Sequence, residues 1–351
     1  MDIVVLGAGA LGSLFGGYLA RTGHQVTLIG HHNAHMEAVQ ANGLEISGIR
    51  GHHVITENLT AHWEPREVRG ADVLIVAVKG NDTLEALASV SHLVGHVESV
   101  LSLQNSVTKD DLLAEAFGSE AIVGAATIEA AATTSPGHVR NAMTVPVTLY
   151  LGELDKAGSA RVTQLVDAFN EAGLGTKTAV DIKQVQWEKL AQICLANAFT
   201  VPALSGLPSA SQPDAMGVRE GAELYACLVS EILGVYCGMG YAPEDFFAPL
   251  ARFKELVGLD FEAAVALLLA RSEERRRNSK PGVAPVRSSL FGDLERGRPT
   301  EAAQIFTPFL DQARKQGLEA TVLSAAYRNI RVIEALAMRD GGLCRQENVP
   351  E

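Results

Sequence analysis

Apolar and polar positions along this chain follow two regimes that change near residue 180. Asp2–Leu6 is a short apolar run rich in Val and Ile, the pattern of a strand buried on both faces. Leu11, Leu14, Phe15, Tyr18 and Leu19 then recur at helical spacing up to Thr22-Gly23, where the glycine reads as a helix stop. Gln25–Ile29 is a second strand. Ala71–Val78 and Ser99–Leu103 are further buried strands, separated by a helix-like Asp82–Val94 and followed by a helix over Lys109–Phe117. Ala121–Gly124 starts another strand, Val139–Leu151 contains strands broken at Pro146, and Ser159–Ala172 is an amphipathic helix. Strands alternating with helices imply an α/β fold with a mostly parallel sheet covered on both faces. After about Asp181 the strand signals stop. Val185–Ala198, Glu220–Gly238, Asp245–Leu256, Phe261–Asn278, Glu301–Gln316 and Ala320–Met338 all read as helical. Ser205–Pro213 and Ser279–Arg287 are polar or Pro/Gly-containing connections.

Composition narrows the class. The 351 residues suffice for two domains with sizeable cores, and 47% apolar with 20% charged residues is ordinary for a globular chain. A net charge of −12 argues against nucleic acid or an anionic membrane surface as partner. The basic run Arg271–Lys280 is offset by Glu273 and Glu274 and reads as a solvated helix end. Cys194, Cys227, Cys237 and Cys344 form neither a metal-type cluster nor a disulfide framework, which suggests a reducing compartment. Asp2 stands where a signal peptide carries Lys or Arg, and no stretch reaches the ~20 apolar residues of a spanning helix. A cytoplasmic location is expected.

The first turn carries the chemistry. Gly7, Gly9 and Gly12 form Gly-x-Gly-x-x-Gly between the first strand and the first helix, inside a strand–helix–strand unit. The first glycine permits the tight turn, the second lets a pyrophosphate approach the backbone, and the third packs helix on strand. The helix N-terminus offers N–H groups and a positive dipole end to the phosphates. Residues 1–182 therefore read as a Rossmann-type dinucleotide-binding domain, 183–340 as an all-helical second domain, and 341–351 as a tail. At the end of the second strand, Gly30-His31-His32-Asn33 lacks the acid that an NAD-selective site places against the ribose. That leaves room for a 2′-phosphate, which favours NADP over NAD, with His31 or His32 as its partner. His31 and His35 are four apart, but no further ligand stands at metal spacing, and no metal is expected.

Downstream motifs join the glycine turn. They are VAVKGND ending at Asp82, LQNSV at Leu103–Val107, SPGHV at Ser135–Val139, WEKLAQICLAN at Trp187–Asn197 and SSLFGDLERGRPTE at Ser288–Glu301. In this order they resemble the ketopantoate reductase (2-dehydropantoate 2-reductase) family over nearly the whole chain. The resemblance implies a C-terminal domain like that of 6-phosphogluconate dehydrogenase. It also implies NADPH-dependent reduction of a 2-oxo acid to the 2-hydroxy acid on the way to pantothenate. By the same resemblance Lys189 is the proton donor and Glu301 a second catalytic group. Substrate contacts fall to Asn105, Asn197, Ser289 and the position of Ile193. The cofactor falls to Gly7, Ala8, Gly9, Ala10, Leu11, Gly12, His31, Lys79, Asn105 and Glu301. Three features depart from the family pattern: Ile193 where many members carry asparagine, Ser106 where Gly follows the Asn, and a longer stretch over 209–285.

Elementary chemistry supports the assignment. Hydride addition to a ketone leaves charge on oxygen, which needs a proton or a cation. Lys189, Ile193 and Asn197 stand at i, i+4 and i+8, on one helix face. Taken singly, Lys189 and Lys79 read equally as exposed lysines, Glu301 as a first-turn glutamate capped by Thr300, and Ser288-Ser289 as a helix cap. An apolar wall at Ile193 opens the alternative of an NAD(P)-dependent D-2-hydroxyacid dehydrogenase with a more apolar substrate. A redox-sensing protein without catalysis would need neither Lys189, Asn105 nor Glu301. The long apolar helices Glu220–Gly238 and Phe261–Ala270 suit a core or a homodimer face.

Overall fold

The computed structural model describes residues 1–207, 210–250, 252–278 and 288–343. The expected connection Ser279–Arg287, Cys344 and most of the 341–351 tail lie outside them. Two compact units form: Met1–Lys189 with Phe246–Ala251, and the described residues of Leu190–Asp245 and Arg252–Glu351.

The first unit opens with β1 (Asp2–Leu6), α1 (Ala10–Arg21), β2 (Gln25–Ile29) and α2 (Ala34–Asn42). Three short strands follow: β3 (Leu44–Gly48), β4 (His53–Ile55) and β5 (Leu59–His62). Next come β6 (Ala71–Val76), α3 (Thr83–Ser89), β7 (Val97–Ser102) and α4 (Lys109–Phe117). A five-stranded sheet in the order β5-β2-β1-β6-β7 is parallel throughout. Its central strands β1 and β6 are apolar on both faces, as their sequences require. Ile3, Val5, Val73 and Ile75 enter one core cluster with Leu14 and Phe15 of α1. Val4, Leu6, Leu74 and Val76 enter another with Leu87 and Leu113 of α3 and α4.

The later strands do not extend that sheet, contrary to the expectation of one mostly parallel layer. They are β8 (Val123–Thr127), β9 (Ala130–Ser135), β10 (His138–Met143), β11 (Leu149–Glu153) and, after α5 (Ala160–Glu171), β12 (Thr176–Thr178). They form two further sheets, β4-β3-β10-β9 and β12-β11-β8, both mixed in direction. The cause is local. Pro136-Gly137 is a tight turn with Gly137 at φ +74, so β9 and β10 must pair antiparallel. α5 starts at its expected place because the Ser159 hydroxyl accepts the Val162 N–H.

α6 (Ile182–Leu204) contributes to both units. The second unit adds α7 (Gln212–Met216), α8 (Arg219–Gly238), α9 (Phe261–Asn278), α10 (Ser289–Glu295), α11 (Ala302–Gln316) and α12 (Thr321–Asp340), with no strand among its described residues. The described residues of Asp245–Leu256, expected as a helix, instead form turns at 246–250 and from 254 onward. Pro249 has no N–H and disfavours helical backbone in the residue before it. Asp245 sits at φ 54, and its carboxylate accepts the Phe253 N–H at 2.6 Å, closing a loop. Within the first unit, Phe247 is buried beside Ile128, Tyr150, Ile182 and Val185. The Tyr150 hydroxyl donates to the Phe246 carbonyl at 2.8 Å, and Glu188 accepts the Phe246 N–H at 3.0 Å. No described helix is long and apolar enough to cross a membrane.

Candidate active site

In the parallel sheet the strand order reverses between β1 and β6, the topology that opens a ligand crevice at the strands' carboxyl ends. Gly7 follows β1 at φ +106, where a Cβ would lie 2.6 Å from the Val78 nitrogen. At Gly12 a Cβ would lie 2.1 Å from the Gly7 carbonyl oxygen. Gly9 differs. Its φ is −73, its hypothetical Cβ meets nothing within 4 Å, and no side chain caps α1 there. Gly7 and Gly12 are thus required by packing, whereas Gly9 leaves open space before a helix N-terminus, which suits an anionic group. Gly9→Val is expected to change Tm by less than about 2 °C while weakening nicotinamide dinucleotide binding at least about tenfold. Gly12→Val is expected to unfold the turn. Thermal melts beside fluorescence titrations check both.

The turn is held from outside. The Gly7 and Ala8 N–H groups donate to the Ile29 carbonyl at 2.8 and 3.1 Å. The Ser13 hydroxyl donates to the Ala8 carbonyl at 3.1 Å and lies 3.1 Å from His35 Nε2. His35 Nδ1 accepts the Gly137 N–H at 3.2 Å, so Nε2 carries the proton and donates to Ser13. Burial pulls the His35 imidazole below its ordinary value, in keeping with this neutral tautomer. His35 thus ties the turn to the β9–β10 hairpin.

At the end of β2, His31 is exposed. His32 stacks on Trp63 with centroids 4.4 Å apart, and its Nε2 lies 2.8 Å from a Glu37 carboxylate oxygen. Glu37 stands in the first turn of α2, which Asn33 caps by accepting the His35 and Met36 N–H groups. Lys79, exposed, occupies the N-cap position of a short 3₁₀ turn after β6 without a capping bond from its side chain.

Asn105 follows β7 on the same edge of the sheet. Its Oδ1 accepts a hydrogen bond from the Lys189 ammonium, and Lys189 is buried at 6% exposure. These two residues, 84 apart in sequence, are brought together within the first unit. Ser106, in place of glycine, bonds its hydroxyl to Thr108 and accepts the Thr108 N–H. Residues that sequence reasoning missed surround the pair. Gln104 donates to the Val78 carbonyl at 2.9 Å and to the Thr83 hydroxyl at 2.7 Å, and accepts from Ser102 at 2.9 Å. Its place beside Asn105 was the only available signal.

The remaining candidates lie in the second unit. Asn197, buried, donates to the Ile193 carbonyl at 2.8 Å and accepts from the Ser288 hydroxyl at 2.6 Å. Ser288 also caps α10 by accepting the Phe291 N–H at 3.2 Å, while Ser289 is the exposed first residue of that helix. Ile193 is half-buried. Glu301 is itself the N-cap position of α11. Thr300, ahead of it, accepts the Ala302 N–H and gives its own N–H and hydroxyl to buried Glu334, both at 2.7 Å. Among the described residues no group of three or more His, Cys, Asp or Glu could hold a metal ion.

Comparison with known proteins points to one family. The family described as "Ketopantoate reductase PanE/ApbA" matches residues 3–156, and its "C terminal" counterpart matches residues 181–334. A 2-dehydropantoate 2-reductase of Halobacterium salinarum is 29% identical over 97% of this chain and 100% of its own. The crystal structure of a PanE/ApbA family ketopantoate reductase from Ralstonia eutropha superposes with a TM-score of 0.75 at 25% identity, covering 96% of this chain and 99% of that one. A D-mandelate dehydrogenase, solved with NADH and anilino(oxo)acetate, shares the fold with a TM-score of 0.74 at 19% identity, covering 96% and 99%. The chain belongs to the ketopantoate reductase family and is an oxidoreductase of the 2-dehydropantoate 2-reductase type.

Proposed function

We propose that this protein reduces 2-dehydropantoate, or a close 2-oxo acid analogue, to the 2-hydroxy acid with NADPH, Lys189 giving the proton to the carbonyl oxygen. The carrying observation is the Lys189–Asn105 hydrogen bond beside the glycine turn's edge of the sheet. The bond sets the direction of an ammonium that sheds a proton as negative charge develops on the substrate oxygen. A bound dihydronicotinamide supplies the hydride. Gly7–Gly12 would hold the pyrophosphate, since Gly9 offers the space a side chain would fill. Lys79 and Asn105 would line the nicotinamide side, His31 would face the 2′-phosphate, and Asn197, Ser289 and Glu301 would engage the substrate. The acidic chain and the unpaired Cys194, Cys227 and Cys237 accord with a cytoplasmic reaction.

The test is NADPH oxidation at 340 nm with a panel of branched and unbranched 2-oxo acids, repeated with NADH. Turnover on none of them by folded, cofactor-binding protein overturns the proposal. Faster turnover with NADH corrects the cofactor only.

Ile193 favours a second reading, a D-2-hydroxyacid dehydrogenase with a more apolar substrate. Four residues after Lys189, it presents hydrocarbon where an asparagine would present an amide. A site lacking the matching polar group loses discrimination for a substrate hydroxyl. Ile193→Asn is expected to shift the kcat/KM ratio of 2-dehydropantoate over an apolar 2-oxo acid upward by at least about tenfold. An unchanged ratio removes Ile193 from substrate choice.

A further inference from the structure

We propose that Lys109 is a positioning residue of this site, its buried ammonium holding the Gln104–Asn105 segment where the Asn105 side chain meets Lys189. The inference rests on the reductase reading for its kinetic arm. Lys109 is 3% exposed, and its Nζ donates to two backbone carbonyls, Gln104 at 3.0 Å and Ala125 at 2.6 Å. The first of these carbonyls belongs to the peptide unit that leads into Asn105.

Its placement works against its own stability. Burial disfavours the charged form and lowers the ammonium to about 8, with the neighbouring Asp110 charge opposing that fall. Lys109 is also the first residue of α4, where the helix dipole repels a cation. A neutral, apolar side chain would avoid both costs but would leave two buried carbonyls without this donor.

The second carbonyl explains the arrangement further. Ala125 O also accepts from Gln186 Nε2 at 3.2 Å, and Gln186 Nε2 lies 2.7 Å from Asp110 Oδ2. Lys183 donates to the same Asp110 oxygen at 3.1 Å. Gln186 and Lys183 stand on α6, three and six residues before Lys189. Neighbours on α4, Lys109 and Asp110, therefore fasten both partners of the central hydrogen bond. Lys109 holds Asn105 through the Gln104 carbonyl, and Asp110 holds the turn of helix that carries Lys189. All these residues belong to the first unit.

The experiment pairs Lys109→Met with Asn105→Ala in a double-mutant cycle. Lys109→Met is expected to lower kcat by about 10- to 100-fold, with the KM values for NADPH and 2-oxo acid within about threefold. The double variant is expected to be no slower than Asn105→Ala alone within about twofold, because Lys109 acts through Asn105. A kcat within about twofold of the parent, or losses that multiply, overturns the proposal. If Lys109→Met does not fold, Lys109→Gln, which keeps one N–H donor, replaces it in the same cycle under the same criteria. A second readout needs no substrate: the Asn105 side-chain amide resonance, assigned by its loss in Asn105→Ala, is expected to move in the Lys109 variant. An unmoved resonance overturns the proposal. Failure of the parent protein to reduce any 2-oxo acid would strike the functional reading alone, and the resonance would still decide Lys109.

Discussion

Lys189→Ala is expected to lower kcat for 2-oxo acid reduction by about 10²–10⁴-fold while changing nicotinamide dinucleotide affinity by less than about threefold. The range is the usual worth of a positioned proton donor. The asymmetry follows from the placement of the groups. Gly9, where a side chain would meet nothing within 4 Å, lies in a turn fastened by Ile29, Ser13 and His35, whereas Lys189 bonds Asn105 after β7. Removing the ammonium also leaves Asn105 Oδ1 without that donor, so Lys189→Arg is a poor substitute: a planar fork cannot retrace the point contact of a lysine. Single-turnover mixing of the variant, loaded with reduced nicotinamide dinucleotide, with 2-oxo acid isolates the chemical step. Unchanged single-turnover rates would remove Lys189 from proton transfer.

Glu129→Ala is expected to destabilise the first unit by about 3–5 kcal/mol, the usual cost of breaking a buried ion pair from one side. At this size that corresponds to a fall in Tm of roughly 10 °C. The Glu129 side chain is fully buried between β8 and β9. One carboxylate oxygen accepts from Arg50, Thr144 and Thr148 at 2.5, 2.6 and 2.7 Å. The other accepts from Arg50 at 2.9 Å and Asn141 at 2.7 Å. These donors come from the β3–β4 loop, from β10 and from the approach to β11, so one carboxylate ties the second sheet to the third. Burial pushes the Glu129 carboxyl up, but the bonds from Arg50, Thr144 and Thr148 and the Arg50 charge outweigh it, and the group sits below its ordinary value. A carboxyl lowered by folding contributes stability that is fully present above its unfolded value of about 4.3. That contribution is lost as pH falls through the lower folded value. Melts between pH 7 and pH 3 should therefore show a steeper acid loss in the parent protein than in Glu129→Gln. Parallel curves would assign the acid sensitivity elsewhere.

Both residues show how far the chain could be read in advance. Lys189 could be singled out only through the contiguous motif that carries it and the resemblance of that motif, since taken singly it reads as an exposed lysine. The turn at Gly7–Gly12 was legible for the same reason, since strand, turn and helix are contiguous. Local rules failed where an element depended on distant partners. β3, β4 and β5 are short and partly polar, and they are strands because β10 and β2 lie beside them. Asp245–Leu256 has helical apolar spacing, but Asp245 reaches Phe253 and the Phe246 backbone goes to Glu188 and Tyr150.

Contiguous pattern was enough for the Rossmann-type start, the helical second half and the motifs carrying Lys189, Asn105 and Glu301. Long-range folding alone decided that Asn105 meets Lys189, that Ser288 rather than Ser289 bonds Asn197, and that Glu129, Lys109 and Glu334 are buried supports. The division has one cause. Backbone periodicity is written in neighbouring residues, whereas a buried polar group is tolerable only once chain segments tens of residues away supply its hydrogen bonds.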